Sequence, residues 1–177
     1  MRRREVLVGV AGLAALGGGG ALAVGEWNPL ESGDAVDSIE LETIDAPGSD
    51  AGTASVPERG RVTFVELFAT WCTVCERQME PLGAVHETVD DDVQFVSATS
   101  EPVGNTVTRA DIADWWRDHD GDWPVALDTD LELTEALDAS GVPYAFVLDE
   151  SNAVTWSGRG RESADEIRSA IDAAGGE

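Results

Sequence analysis

A chain of 177 residues with 42% hydrophobic side chains has material for one domain of ordinary size and no room for two large ones. Its 11 basic and 35 acidic residues give a formal charge of -24, which excludes a general binder of phosphate backbones, because nucleic acid repels such a surface. Two cysteines are too few for a disulfide-stapled scaffold. Every basic residue is Arg, and an acid excess without Lys is the composition expected of a halophilic protein. In molar salt the short Debye length screens the self-repulsion.

Residues 1–25 differ from the rest. Arg2, Arg3 and Arg4 precede an uncharged stretch, 6–25, in which seven of twenty residues are Gly. Each Gly weakens a helix, so the stretch is poorer than a usual membrane span. A basic start before a moderately apolar run is the pattern of an export signal. Arg3-Arg4-Glu5-Val6-Leu7 resembles the twin-arginine form of that signal, and Ala21-Leu22-Ala23 offers a small-x-small cleavage site. Retained, the same twenty residues would just span a bilayer as an N-terminal membrane anchor. Either outcome places the remainder outside the cytoplasmic membrane. Residues 26–38 read as an acidic, solvated linker, and 39–177 as the folded domain.

Within that domain the elements follow one another regularly. Ile39, Leu41 and Ile44 between acids suggest a short edge strand, and the Pro/Gly/Ser-rich stretch 45–60 a loose hairpin. Residues 62–68 are nearly continuous apolar sequence, as in a strand covered on both faces. The spacing then predicts a helix over 72–89, with Met79, Leu82, Val85, His86 and Val89 inward, and a strand over 93–98. Thr108 with Asp111 predicts a capping box opening a helix through Trp115 and Trp116. Pro124 bounds a short strand at 125–127, and Thr129 with Glu132 predicts the cap of another helix ending before Gly141. Strands at 144–148 and 153–157 flank a turn at 149–152. Ser163 with Glu166 caps a last helix, which Gly175-Gly176 terminates. The order describes a single α/β layer domain.

Trp71-Cys72-Thr73-Val74-Cys75 carries the chemistry. Two thiols three positions apart in the first turn of a helix can meet as a disulfide, and the first lies where free N–H groups and the helix dipole stabilise a thiolate. Cys72 is the predicted nucleophile, and Cys75 the resolving thiol that breaks a mixed disulfide. The pair contains the chain's only cysteines, directly after an apolar strand.

At these residues the chain resembles the thioredoxin-like superfamily, in particular the TlpA/ResA-like exported thiol–disulfide oxidoreductases. The resemblance is carried by the strand and motif from Val65 to Cys75, by Gly141-Val142-Pro143 before an apolar strand, by Asp149 with its turn and following strand, and by the αβ unit at 108–127. It covers roughly residues 39–174. It implies a thioredoxin-like α/β fold: a central mixed β-sheet flanked by helices, with an αβ insertion and an N-terminal hairpin extension. It further implies a cis bond at Pro143, and a Val142 backbone that binds the partner chain as a short strand. Glu66, six residues before Cys72, stands where thioredoxin has a buried acid. Desolvation would raise its pKa and let it exchange protons with Cys75. Trp71 is expected to shield the disulfide and pack beside it. The implied partners are protein thiol or disulfide substrates and a membrane or exported electron donor or acceptor, and no cofactor is required. Many members of the family carry Pro before the second cysteine, where this chain has Val74. That residue influences the reduction potential.

Rival readings are weaker. Cys72, Cys75, His86 and His119 supply four formal metal ligands, but at no zinc-finger spacing. Two thiolates suit Cu(I), which makes a thioredoxin-like copper metallochaperone the alternative function, although such chaperones usually carry a longer Cys-x-x-x-Cys. A peroxidase would need a lone cysteine in a Pro/Thr-rich loop. A purely structural disulfide across so small a loop would contribute little chain-entropy stabilisation. His119 is expected in an exposed acidic segment, and Trp115, Trp116, Trp123 and Trp156 in the core or its rim.

Overall fold

The computed structural model describes residues 35–176, so the segment read as export signal or anchor lies outside the described residues. Eleven elements follow in the order β1 (Ile39–Thr43), β2 (Gly52–Val56), β3 (Thr63–Phe68), α1 (Thr73–His86), β4 (Gln94–Thr99), α2 (Arg109–Asp118), β5 (Val125–Leu127), α3 (Glu132–Ala136), β6 (Tyr144–Leu148), β7 (Val154–Arg159) and α4 (Ala164–Ala174). They build one mixed seven-stranded sheet in the order β2-β1-β5-β4-β3-β6-β7. The strands β3, β4 and β5 run parallel, whereas β6 and β7 join one side antiparallel and the β1–β2 hairpin the other. This is a thioredoxin-like α/β fold with a hairpin extension.

The central strand β3 is buried on both faces, as its unbroken apolar run requires. Alternation sends Phe64 and Phe68 to one face, where they pack with Met79 and Leu82 of α1, Trp116 of α2 and Ile167 of α4. Val65 and Leu67 face the other side, with Leu133 of α3 and Leu137. Each fully buried side chain of the Leu82 or Phe64 kind contributes roughly 1.5–3 kcal/mol. Trp116 and Trp123 are wholly buried, and their indole N–H groups donate to the Pro47 carbonyl at 3.2 Å and to Ser97 Oγ at 2.9 Å.

Capping boxes form at both sequence-predicted sites, Thr108–Asp111 and Ser163–Glu166. Three expectations are corrected. The strand at 39–43 is not an edge: β1 pairs with β5 as well as β2, and β2 is the edge. The box expected from Thr129 and Glu132 does not form. The N-cap of α3 is Leu131 in the left-handed region, and the Asp128 carboxylate instead accepts from the N–H groups of Leu133 and Thr134. The solvated linker ends earlier than residue 38, because Val36 is buried and exchanges hydrogen bonds with Asn152, its N–H donating to the Asn152 carbonyl at 3.0 Å.

Candidate active site

Strand β3 delivers the chain to the cysteines. After Phe68 a tight turn, closed by the Cys72 N–H donating to the Ala69 carbonyl at 3.1 Å, leads into α1. Cys72 is the N-cap of that helix, and its sulfur accepts the Cys75 N–H at 3.1 Å. The two sulfurs are joined as a disulfide, with Cα atoms 5.2 Å apart. A sulfur at the N-cap receives both a backbone N–H and the positive end of the helix dipole, and both favour a thiolate when the pair is reduced. Cys72 keeps 8% of its surface exposed and Cys75 only 1%. Access therefore favours Cys72 as the attacked or attacking sulfur.

Trp71, next to Cys72 in the chain, is 73% exposed and lies at the surface just before α1. Opposite the helix start, β6 begins at the same end of the sheet, since Leu67 pairs antiparallel with Tyr144. The Gly141-Val142-Pro143 loop thus lies next to the end of β3, and the Val142–Pro143 bond is cis. Val142, Gly141, Phe68 and Leu67 share the lining of a cavity of ≈ 60 Å³. The structure therefore brings the proline loop and the strand that leads to the cysteines together.

Glu66 points away from water. It shares the face of Phe64 and Phe68, the face that α1 and the cysteines cover, and is 2% exposed. Neither carboxyl oxygen has a hydrogen-bond partner among the described residues. Burial pushes its pKa well above the ordinary carboxylate range, and the negative charge of Glu162 pushes it further.

One residue of the site was not legible beforehand. Glu101, itself buried, accepts from the Thr70 N–H at 2.7 Å, from Thr70 Oγ1 at 2.8 Å and from Thr99 Oγ1 at 3.2 Å. It clamps the residue just before Trp71-Cys72. The available signal was positional: in the parallel register Phe68 pairs with Thr99, so an acid two residues beyond Thr99 stands beside the chain leaving β3.

The two histidines do not join the cysteines. His86 packs between Phe95 and Trp123, where burial lowers its pKa. His119, expected in exposed sequence, is partly buried, stacks on Trp115 at 4.4 Å, and its Nε2 stands 3.8 Å from Glu76. Among the described residues no group of three or more His, Cys, Asp or Glu is placed to hold a metal ion. The two thiols are the thiolate donors available to Cu(I) once the disulfide is reduced.

A cysteine pair at a helix N-terminus, on a mixed sheet whose cis-proline loop borders the strand leading to that pair, is the arrangement of thioredoxin-like thiol–disulfide oxidoreductases. The chain belongs to the Redoxin family, whose model matches residues 31–174. Sporulation thiol-disulfide oxidoreductase A of Bacillus subtilis is 21% identical over 115 residues, which is 64% of this chain and 68% of that protein. Thiol-disulfide oxidoreductase ResA of the same organism is 26% identical over 98 residues, 54% of this chain and 51% of ResA. The chain thus spans about two thirds of the first relative and half of the second. The crystal structure of StoA from Bacillus subtilis superposes with a TM-score of 0.65 at 18% identity, covering 77% of this chain and 98% of that one.

Proposed function

We propose that the protein is an exported thiol–disulfide oxidoreductase that exchanges electrons with protein thiols and disulfides through Cys72 and Cys75. The observation that carries this reading is the disulfide at the N-cap of α1, between Cys72, 8% exposed, and Cys75, 1% exposed. In the reducing direction the Cys72 thiolate attacks a substrate disulfide, one substrate thiolate leaves, and a mixed disulfide forms. Cys75 gives its proton to the Glu66 carboxylate and displaces the second substrate thiolate, closing the Cys72–Cys75 disulfide. In the oxidising direction the same steps run backwards. Val142 and Pro143 orient the partner backbone, and Trp71 supplies an exposed aromatic contact beside it.

The pair itself carries two electrons, so no organic cofactor enters the cycle. A membrane or exported electron partner recharges it. The Arg2–Arg3–Arg4 start and the apolar run 6–25 support an exported location, with residues 1–25 acting as a twin-arginine-like signal cleaved near Ala23 or as an anchor. Among the described residues no helix is long and apolar enough to cross a membrane. The acid-rich, Lys-free composition supports work in high salt.

Equilibration of the pair against a thiol redox buffer in molar salt tests this reading. A potential near roughly -270 mV would define a reductant, and one near roughly -120 mV an oxidant that introduces disulfides. Absence of any reversible two-electron couple would overturn the reading, and Cu(I) binding by the two thiols would then be the function to measure.

A further inference from the structure

The arginines of this acidic chain commonly neutralise its own carboxylates. Arg61, Arg109, Arg117, Arg161 and Arg168 each stand 2.6–3.6 Å from an Asp or Glu oxygen. Arg159, the last residue of β7, differs from them. No Asp or Glu of the described residues forms an ion pair with it, although acids outnumber bases by 35 to 11 in the chain.

Two neutral groups hold Arg159 instead. Antiparallel pairing sets it directly opposite Tyr144, on the same face of the sheet. Its guanidinium carbon lies 5.3 Å from the centre of the Tyr144 ring, and Nη2 donates to Ser140 Oγ at 2.6 Å. The Tyr144 ring is packed in turn against Phe146, 4.3 Å away between centroids. A planar guanidinium resting on an aromatic ring and tied at one nitrogen has its direction set before any partner arrives. The Ser140 bond uses one N–H donor and leaves the others, and the residue is exposed.

Both contacts belong to the loop read as the partner-binding segment. Ser140 leads into Gly141-Val142-Pro143 and Tyr144 follows it, while the Gly160 N–H donates to the Pro143 carbonyl at 3.0 Å, so β7 ends against this loop. Arg159 Nη2 lies 3.7 Å from the point that a Cβ on Gly141 would occupy. Gly141 is one residue, about 3.8 Å, from Val142, and a strand paired with the Val142 backbone would run about 4.8 Å away. A long side chain next to the paired residue of that strand comes within reach of the guanidinium.

We propose that Arg159 is a specificity-determining residue that selects protein substrates with an acidic side chain beside the reacting cysteine. The proposal rests on the oxidoreductase reading and on the role given there to Val142 and Pro143. The incoming carboxylate accepts from the guanidinium nitrogens left free by Ser140, a pairing whose fork geometry Arg suits better than Lys. The chain's formal charge of -24 opposes such a substrate at long range. In molar salt the Debye length is about 3 Å, which screens that repulsion but spares much of a direct hydrogen-bonded contact. The local contact therefore decides the preference.

The test uses the full chain and disulfide peptides that carry Glu, Gln or Lys in turn at the residue on each side of the reactive cysteine. The reduced protein is mixed with each peptide in molar salt, and the second-order rate of Cys72–Cys75 closure is measured. Each rate is divided by that of the same peptide with free dithiothreitol, which removes the effect of the neighbouring charge on the disulfide itself. At one of the two positions the Glu peptide should react about fivefold faster than the Gln peptide, with Lys slowest. Arg159→Gln should remove this ranking, Arg159→Lys should keep part of it, and Arg159→Glu should reverse it so that Lys leads. A parent without the ranking, or a ranking that survives in Arg159→Gln, overturns the proposal. So does an equal slowing of every peptide in Arg159→Gln, which would assign Arg159 to holding the proline loop through Ser140 and Tyr144. If the parent reacts with all peptides alike, acid selection alone falls. If it reacts with none, the oxidoreductase reading falls and the selection with it.

Discussion

Three carboxylates are buried near the end of the sheet where the cysteines sit, and they are treated in opposite ways. Glu101 and Asp128, in the loops after β4 and β5, each accept three hydrogen bonds: Glu101 from Thr70 and Thr99, Asp128 from Leu133 and Thr134. Glu66, in the middle of β3, accepts none among the described residues. Saturated carboxylates cost little to bury and fix the chain around them. An unsaturated one is costly as an ion, so it is held ready to take or give a proton. The loop acids thus fix the chain around the site, and the strand acid is the one left without partners.

The largest effects should come from the sulfurs. Cys72→Ser is expected to abolish disulfide exchange altogether. Cys75→Ser should leave the first attack intact and accumulate a mixed disulfide, visible as an added mass after incubation with a disulfide peptide. A trapped adduct on Cys75 in the Cys72→Ser variant, with none on Cys72 in the other, would reverse the assigned roles.

Next comes the strand acid, through both rate and stability. Glu66→Gln keeps the shape and removes the proton acceptor, which should slow resolution by roughly 10²-fold at neutral pH. Its stability signature has a definite sign. The folded-state pKa lies well above 4.5, so between the unfolded and folded values the native state holds more protons than the unfolded one. Stability therefore falls as pH rises through that window, by up to about 1.4 kcal/mol per pH unit. The Gln variant should lack this decline, and chemical denaturation at a series of pH values compares the two. Parallel curves would show that Glu66 is not buried as an acid.

Loop acids should respond differently. Glu101→Ala leaves the Thr70 N–H without its partner in a partly buried place, at a cost of about 1 kcal/mol. Because Thr70 precedes Trp71-Cys72, the loss should also reach the chemistry, as a moderate fall in exchange rate and faster alkylation of reduced Cys75. Glu101→Gln, which keeps an acceptor oxygen, should recover most of both. A large loss of stability with an unchanged rate would assign Glu101 to folding alone.

How much of this could be read from the chain depends on the range over which each signal acts. The cysteine pair, the acid six residues before it and the proline before β6 are all local patterns, and so were legible. The capping boxes at Thr108 and Ser163 are local as well, and both formed. The box expected at Thr129 failed because Asp128, one residue earlier, already caps α3 and Leu131 takes a left-handed turn. Glu101 was missed because its partner Thr70 lies 31 residues away and meets it only through the parallel register of β3 and β4. The same limit made β1 read as an edge, since its pairing with β5 joins Glu42 to Leu127.

The smallest expected effect sharpens the contrast between the two loop acids. Asp128 accepts from the N–H groups of Leu133 and Thr134 at 3.0 and 2.9 Å and from Thr134 Oγ1 at 2.6 Å. It thereby caps a helix that packs on the sheet face away from the cysteines. Asp128→Ala should cost about 1–2 kcal/mol, the usual loss of a helix cap with buried donors. The mixed-disulfide rate and its pH profile should stay where they are, because α3 packs on the sheet face opposite the one the cysteines cover. Thr134 does line the small cavity beside Val142, so a modest weakening of substrate binding is the one functional change expected. Steady-state kinetics with a disulfide peptide separates these cases. A rise in KM at constant kcat fits a cap that supports the proline loop from behind. A fall in kcat would mean that α3 is coupled to the sulfurs, and the division between the loop acids and the strand acid would no longer hold.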